Sequence, residues 1–158
     1  MNRVPMTPEG HEKLQKELSH LKSVVRPKNI QDIETARSYG DLSENAEYHA
    51  AKEKQGHIAA QIARLETMLS QSEVIDSKHI KPTDKIIFSA TVTLYDVDSA
   101  EEVTYKIVGD DEGNVKEGKI GISSPLARGL IGKSAGDEVA VKTPKGLRQF
   151  EIIKVAYV

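Results

Sequence analysis

Two apolar stripes with coiled-coil spacing, separated by a short polar segment, constrain the fold of this chain more than any other feature. The first stripe recurs at intervals of four, three and four residues and comprises Leu14, Leu18, Leu21 and Val25. This is the spacing of a coiled-coil seam. The second stripe comprises Ala51, Ile58, Ile62, Leu65 and Leu69. Helices joined by a short turn pack antiparallel, so the two stripes predict a helical hairpin.

The limits of the hairpin can be read from residues that start and interrupt helices. Thr7 is a suitable N-cap, Pro8 suits the first helical position, and Glu9 complements the positive end of the helix dipole. Pro27 falls where the apolar stripe changes phase towards Ile30 and Ile33, which predicts a kink or a short break. We expect the first arm to end near residues 37–38 and the second near residues 70–72.

The pattern changes after residue 74, where the helical period is lost. We predict a hairpin domain over residues 1–76 with an acidic tip at 40–45, a linker over 77–83 that contains Pro82, and a second domain over 84–158. The second domain alternates with the period of β-strands and includes one short helical segment. The fold class is therefore α+β, with a long antiparallel coiled-coil hairpin followed by a small domain with an antiparallel sheet.

The elements of the second domain follow from its turn residues. Turns are predicted at 96–102, 110–114 and around Gly146, and a helix over 125–131 ends before Gly132. The predicted strands are Ile86 to Tyr95, Val103 to Val108, Lys119 to Ser123, Glu138 to Thr143 and Arg148 to Ala156.

Composition excludes several classes of protein. The 158 residues carry a net charge of −2, which argues against a protein that coats nucleic acid through bulk charge. The chain has no cysteine, hence no disulfide and no thiolate metal site. It has neither a signal-peptide pattern nor an apolar run long enough to span a membrane, so we expect a cytoplasmic protein.

The polar segment between the stripes allows two interpretations. Residues 40–45 read Gly-Asp-Leu-Ser-Glu-Asn. In the first interpretation, Asp41 or Ser43 caps the second helix and Glu44 lies in its first turn. In the second, Asp41 and Glu44 form part of a Mg²⁺ shell whose other ligands come from a partner molecule, because Mg²⁺ takes six oxygens and only one or two carboxylates. Such a tip would complete a phosphoryl-transfer site in the partner.

Two long motifs resemble those of the Gre family of bacterial transcript cleavage factors. The first is the run Ala36-Arg37-Ser38-Tyr39-Gly40-Asp41-Leu42-Ser43-Glu44-Asn45-Ala46-Glu47-Tyr48-His49-Ala50-Ala51-Lys52-Glu53. The second is the run Ser124-Pro125-Leu126-Ala127-Arg128-Gly129-Leu130-Ile131-Gly132-Lys133 followed by Gly136-Asp137. The resemblance spans nearly the whole chain.

The resemblance implies a function that depends on a partner enzyme. It implies that the hairpin enters the secondary channel of backtracked bacterial RNA polymerase, where Asp41 and Glu44 help place a shared Mg²⁺ and a water. It further implies that the polymerase active site hydrolyses the 3′ end of the nascent RNA, so that the chain would not itself be an enzyme. The resemblance also implies an FKBP-like second domain that docks at the channel rim.

Further contacts are assigned by their place in these motifs. Candidates for docking on the polymerase are Ser123, Ser124, Pro125 and Leu126, although a serine followed by proline is also an ordinary helix start. Candidates for contact with RNA are Arg37, Lys52, Tyr39 and Tyr48, whose charges and rings suit phosphates and bases. We expect a monomer, since the hairpin already pairs with itself.

Two alternative functions stay open. The chain could occupy the polymerase channel and inhibit or modulate the enzyme without stimulating cleavage, although the acidic pair favours cleavage. Alternatively, the second domain could be a prolyl isomerase or chaperone with a coiled-coil handle. That alternative requires a pocket lined by aromatic side chains, and the available ones are Phe88, Tyr95, Tyr105, Phe150 and Tyr157.

Overall fold

The computed structural model describes residues 3–41, 44–81, 83 and 85–158. Within these residues the chain packs as two units. The first comprises His11–Ser72, and the second comprises Arg3–Gly10 together with Glu73–Val158. This division differs at the N-terminus from the predicted ranges 1–76, 77–83 and 84–158, because the first described residues pack with the C-terminal part of the chain.

The first arm begins directly after Thr7, the residue predicted to cap it. Helix α1 spans Pro8–His20, and the Thr7 hydroxyl oxygen accepts a hydrogen bond of 3.1 Å from the Gly10 amide. A π-helical turn follows over Leu21–Val25, and helix α2 continues over Arg26–Arg37. The end of α2 agrees with the predicted end of this arm.

The interruption predicted near Pro27 is a π-helical turn that lies just before this proline. A proline in an α-helix lacks the N–H donor and clashes with the carbonyl four residues earlier. Here the turn before Pro27 is wider, and the Arg26 amide donates to the Leu21 carbonyl five residues earlier. The Ser23 hydroxyl donates to the Ser19 carbonyl at 2.6 Å, which supplies that carbonyl with a side-chain donor. The helix is therefore widened at this point and not ended.

The wider turn shifts the face of α2 that meets the other arm. The prediction that Ile30 lies in the seam is wrong, since its side chain is 45% exposed. Asn29 is buried instead at 1% exposure, and Ile33 is buried as predicted. The buried positions Leu21, Asn29 and Ile33 are separated by multiples of four, a spacing longer than the 3.6 residues of a regular turn, and the wider turn absorbs the difference.

The second arm is one uninterrupted helix, α3, over Ala46–Gln71. Its buried side chains Ile58, Ile62 and Leu65 form a cluster with Leu21 of the first arm. Half-buried side chains packed against this cluster are Leu14, Leu18, Val25 and Met68. Except for Ala51 and Leu69, which are half-buried outside this cluster, the predicted second stripe forms its core.

Polar contacts between the arms show that they run antiparallel. The Asn29 side-chain amide donates to the Ala51 carbonyl at 3.0 Å, and the Lys22 ammonium lies 3.5 Å from the Glu66 carboxylate. A residue earlier in the first arm thus meets a residue later in the second. A buried asparagine in an apolar seam favours one register over others, because a shifted register would take its side-chain N–H donor away from the Ala51 carbonyl.

In the second unit, the N-terminal segment is held by one carboxylate. Strand β1, Val4–Met6, pairs with strand β2, Ser72–Val74. The Glu112 carboxylate accepts hydrogen bonds from the Thr7 amide at 3.1 Å, from the Gly109 amide at 2.9 Å, and from the Thr7 hydroxyl. A methyl group at Gly10 would lie 2.2 Å from the Glu112 side chain, so this contact requires glycine.

The main sheet has five strands in the order β5-β4-β3-β7-β6. They are β3 Thr91–Asp96, β4 Glu101–Val108, β5 Lys119–Gly121, β6 Glu138–Thr143 and β7 Gly146–Ala156. The pairs β3–β4 and β6–β7 are antiparallel, as predicted, and β3 also pairs antiparallel with β7. Strand β5 runs parallel to β4, because the connection through the 3₁₀ turns Asp110–Glu112 and Val115–Glu117 carries the chain back before β5 begins.

The predicted strand from Ile86 to Tyr95 is wrong in its first half, because β3 begins only at Thr91. Ile86, Phe88 and Ala90 are buried in the core, so their apolar pattern reflects burial in an irregular segment. Ser89 adopts a positive φ of 71° there. Within the predicted linker over 77–83, Ser77–His79 forms a 3₁₀ turn.

The core of the second unit lies between the sheet and helix α4, Pro125–Leu130. From α4, Ala127 and Leu130 are fully buried against Val139 and Val141 of β6, among others. The helix ends before Gly132, as predicted, and Gly132 has a φ of +88°. This conformation suits glycine after a helix end.

A partly buried ion pair lies at one end of β3, where the Asp96 carboxylate is buried and the Arg148 side chain is 36% exposed. Asp96 is 5% exposed, and its carboxylate accepts hydrogen bonds from the Arg148 guanidinium of β7 and from the amides of Asp98 and Ser99 at 3.0 and 3.3 Å. The hydrogen bond from Arg148 is the main cause that lowers the pKa of Asp96 below its usual value, and the amide donors add to it. The carboxylate therefore stays ionised in the fold.

We predict that Asp96→Asn lowers the melting temperature at neutral pH, because Arg148 loses its charged partner. A lowered carboxyl pKa contributes stability above the usual pKa and loses it as the pH falls through the folded-state value. The difference between the two proteins should therefore shrink in acid. Thermal unfolding followed by circular dichroism from pH 7 to pH 3 measures it, with exposed Glu101→Gln as control. An equal difference at all pH values would contradict the prediction.

Candidate functional site at the hairpin tip

The tip begins with a tight turn at the end of α2. The Tyr39 amide donates to the Ala36 carbonyl at 3.2 Å, and the Gly40 amide donates to the Arg37 carbonyl at 3.4 Å. Gly40 then adopts a φ of +109°, a conformation that residues with a Cβ rarely take. A methyl group at Gly40 would meet no atom within 4 Å, so the requirement for glycine lies in the backbone and not in crowding.

Asn45 joins the two helices at the tip. It is the N-cap of α3, and its side-chain oxygen accepts a hydrogen bond of 3.0 Å from the Tyr48 amide. Its side-chain nitrogen donates to the Ala36 carbonyl of α2 at 2.7 Å. One side chain therefore satisfies a free amide at the start of one helix and holds the end of the other.

This arrangement corrects the predicted capping box. Helix α3 begins at Ala46, so Asp41 is not its cap and Glu44 is not in its first turn. Ser43, the other predicted cap, lies outside the described residues, and Asn45 occupies the cap position. The sequence offers Asn45 as a good capping residue directly before Ala46. Asp41 and Ser43 are good capping residues a few positions earlier, so the local sequence does not choose among the three.

The acidic pair lies on the surface of the tip. Asp41 and Glu44 are both exposed, and neither is the cap of α3. Carboxylate oxygens are the ligands that Mg²⁺ prefers, but two carboxylates supply only part of its six-oxygen shell. In the described part of the chain, no group of three or more His, Cys, Asp or Glu side chains is placed to hold a metal ion. The two carboxylates could therefore supply part of such a shell.

The four residues predicted to contact RNA lie on both sides of the tip. Arg37, Tyr39 and Lys52 are exposed, with the Tyr39 side chain at 69%. The Lys52 ammonium donates to the Gln55 side chain at 2.9 Å. Tyr48 is half-buried, and its ring meets that of His49 edge-on at 5.8 Å between centroids. Tyr39 therefore presents a more exposed ring than Tyr48 does.

The predicted docking residues at the start of α4 have structural contacts of their own. The Ser124 hydroxyl caps α4 by accepting from the Ala127 amide at 3.3 Å, and the Ser123 hydroxyl donates to the Asp110 carboxylate at 2.7 Å. Leu126 packs against the core. Pro125 is exposed and is the member of the four without such a side-chain contact among the described residues.

The aromatic side chains of the second unit mostly fill its core. Phe88 and Phe150 are buried in it, and Tyr105 and Tyr157 pack against it. The Tyr157 hydroxyl also donates to the Lys85 carbonyl at 2.6 Å and accepts from the Ile87 amide at 3.1 Å. Burial raises the pKa of Tyr157. These positions argue against the pocket that a prolyl isomerase would need.

Comparison with known proteins identifies the class to which the fold and the tip belong. Residues 4–74 match the family described as "Transcription elongation factor, N-terminal", and residues 81–157 match "Transcription elongation factor, GreA/GreB, C-term". The chain therefore belongs to the GreA/GreB family of transcription elongation factors. Within residues 3–41, 44–81, 83 and 85–158, no helix has the length and apolar character needed to cross a membrane.

Individual relatives cover the full chain. The chain is 57% identical over 157 residues to transcription elongation factor GreA of Hyphomonas neptunium, covering 99% of both chains. It is 50% identical over 158 residues to the GreA of Methylococcus capsulatus, covering 100% of both. A crystal structure of GreA factor homolog 1 from Thermus thermophilus is 26% identical, with a TM-score of 0.44, and the match covers 98% of this chain and 99% of that one.

We predict that alanine has opposite effects on stability at two glycines where an added methyl group would meet no atom within 4 Å. At Gly40, with its φ of +109°, Gly40→Ala should destabilise the hairpin by about 1–3 kcal/mol through backbone strain. Gly56 lies inside α3, and a methyl group there meets no atom within 4 Å. Gly56→Ala should stabilise the hairpin by about 0.5–1 kcal/mol, because glycine is a poor helix former. Urea unfolding followed by helical circular dichroism measures both, and effects of the same sign would contradict the prediction.

Proposed function

We propose that the hairpin of this protein enters the secondary channel of bacterial RNA polymerase and brings Asp41 and Glu44 to the polymerase active site. There the two carboxylates promote hydrolysis of the 3′ end of backtracked RNA. The observation that supports this proposal most directly is the tip itself, where two exposed carboxylates lie outside the cap of α3. Membership in a family of transcription elongation factors supports RNA polymerase as the partner.

The carboxylates suit the chemistry of a shared site. Asp41 and Glu44 would hold part of the shell of a Mg²⁺ ion, which when bound supplies a water of lowered pKa. The carboxylates themselves bring negative charge and oxygen acceptors that orient water towards a phosphodiester. In this proposal the remaining oxygens of the Mg²⁺ shell come from the polymerase, from water and from the RNA. The polymerase active site carries out the hydrolysis, and this protein stimulates it without being an enzyme itself.

The residues around the tip suit contact with the RNA. The Arg37 guanidinium and the Lys52 ammonium are exposed on the two arms, where they can meet phosphate oxygens. The exposed Tyr39 ring can stack on an unpaired base, and Tyr48 is a second ring for that purpose on α3. Positive charge on the arms would also offset the repulsion between the acidic tip and the RNA backbone.

We assign docking on the polymerase rim to the second unit, at the segment 123–126 before and within α4. Exposed Pro125 is the strongest candidate for direct contact, because Ser123, Ser124 and Leu126 also have contacts within the unit. In this proposal the second unit binds the polymerase rim, and the hairpin reaches the active site. We also propose that the protein acts in the cytoplasm, together with its polymerase partner, and that it acts as a monomer.

We predict that Asp41→Asn or Glu44→Gln lowers the rate of RNA cleavage on the order of a hundredfold, because each removes one charged oxygen from the reacting site. The measurement is the release of short 3′ fragments from a stalled, backtracked bacterial elongation complex at saturating protein. Binding to the polymerase should persist in both variants.

Exposed Glu34→Gln on α2 is the matched control for loss of one negative charge and should cleave as the wild type does. Normal cleavage by both tip variants would contradict a catalytic role for the acidic pair. Tight binding of the wild-type protein without any cleavage would favour the non-cleaving, modulating function instead.

We predict that Pro125→Ala weakens binding to the polymerase roughly tenfold, since removal of one well-packed interface side chain costs about 1 kcal/mol or more. Competition against labelled wild-type protein measures it. Ser124→Thr keeps a capping hydroxyl and Ser124→Ala removes it, so this pair separates altered contact from a lost cap. Exposed Thr104→Ala on β4 is the control. Unchanged affinity of Pro125→Ala and Ser124→Thr would remove this segment from the docking surface.

A further inference from the structure

The position of Asn45 next to the acidic pair suggests a role beyond capping. Asn45 follows Glu44 directly, and its side chain contacts both arms of the hairpin. The donor side of its amide reaches the Ala36 carbonyl at 2.7 Å, and the acceptor side receives the Tyr48 amide at 3.0 Å. An ordinary N-cap needs only the second of these hydrogen bonds. The hydrogen bond to the Ala36 carbonyl therefore has a consequence other than capping.

That consequence is a link between the two helix ends that flank the acids. Ala36 is buried at 3% exposure at the end of α2, and its carbonyl also accepts from the Tyr39 amide at the start of the tip turn. Asn45 thus attaches the start of α3 to the carbonyl at which the tip turn begins. Asp41 and Glu44 both lie between these two attachment points, so their range of positions is limited at both ends.

Only an amide group supplies both the donor and the acceptor that these two hydrogen bonds use. An aspartate at the same position keeps the acceptor for the Tyr48 amide but has no donor for the Ala36 carbonyl. A serine keeps a capping oxygen but lacks the side-chain nitrogen that reaches the Ala36 carbonyl. A neutral amide also adds no third negative charge beside Glu44, where like charges would repel each other.

We infer that Asn45 is a positioning residue that holds Asp41 and Glu44 in place for the hydrolysis of RNA. The inference rests on the proposed function, and it assigns Asn45 no contact with RNA, with metal or with water. Its hydrogen bond to Ala36 acts on the reaction only through the placement of the two carboxylates.

The test compares Asn45→Asp and Asn45→Ser with the wild-type protein in the cleavage assay on a backtracked elongation complex. Both variants keep a good N-cap and lose the bond to Ala36, and they differ in charge. We expect each to lower the maximal cleavage rate about tenfold or more, in the range found when a residue that orients reacting ligands is removed. The half-saturating concentration of protein and the helical circular dichroism should change little.

Ser38→Ala is the matched control, because the Ser38 hydroxyl donates to the Thr35 carbonyl at 2.5 Å within one arm. We expect it to cleave at the wild-type rate. A maximal rate equal to that of the wild type in both Asn45 variants would overturn the inference and leave the proposed function intact.

Other outcomes are also decisive. A loss of helix together with an equal rise in the half-saturating concentration would overturn the inference, because Asn45 would then only support the fold. A loss in Asn45→Asp alone would assign the effect to charge and overturn it too. If the wild-type protein releases no fragment, the proposed function fails, and the inference fails with it.

Discussion

The hairpin depends on the burial of one narrow apolar seam. Leu21, Ile58, Ile62 and Leu65 form its buried centre, and burying side chains of this size contributes about 1.5–3 kcal/mol each. Isolated helices of this kind are only marginally stable in water. Without the seam, neither arm would persist, and the acids at the tip would have no defined place.

Polar contacts across the seam add specificity to this burial. Apolar side chains pack in several registers with similar energy, whereas a buried N–H donor finds an acceptor in few. Asn29 reaches the Ala51 carbonyl in the middle of the hairpin, and Asn45 reaches the Ala36 carbonyl at its tip. The two contacts set the register of the arms. In the second unit, Glu112 has a comparable role, since its carboxylate holds Thr7 and Gly109 together.

Much of the fold and part of the tip could be predicted from local patterns. Thr7 and Pro8 gave the start of the first arm, and the turn around Gly146 gave the last hairpin of the sheet, because each signal acts within a few residues. The errors arose where a distant contact decided the outcome. Ile86 to Ala90 alternates like a strand but is buried without forming one, and Ile30 continues the apolar stripe but is turned outwards by the widened helix before Pro27.

The sequence by itself determined the two arms, the acidic pair and the family, since periodicity, residue chemistry and motif spacing are properties of the chain alone. Only the tertiary structure decided which residue caps α3, because Asp41, Ser43 and Asn45 are all good capping residues at neighbouring positions. It selected Asn45, whose amide can also bond to Ala36 on the other arm. The physical reason is that a hydrogen bond between the arms depends on how two distant segments pack, and local sequence carries no direct record of that packing.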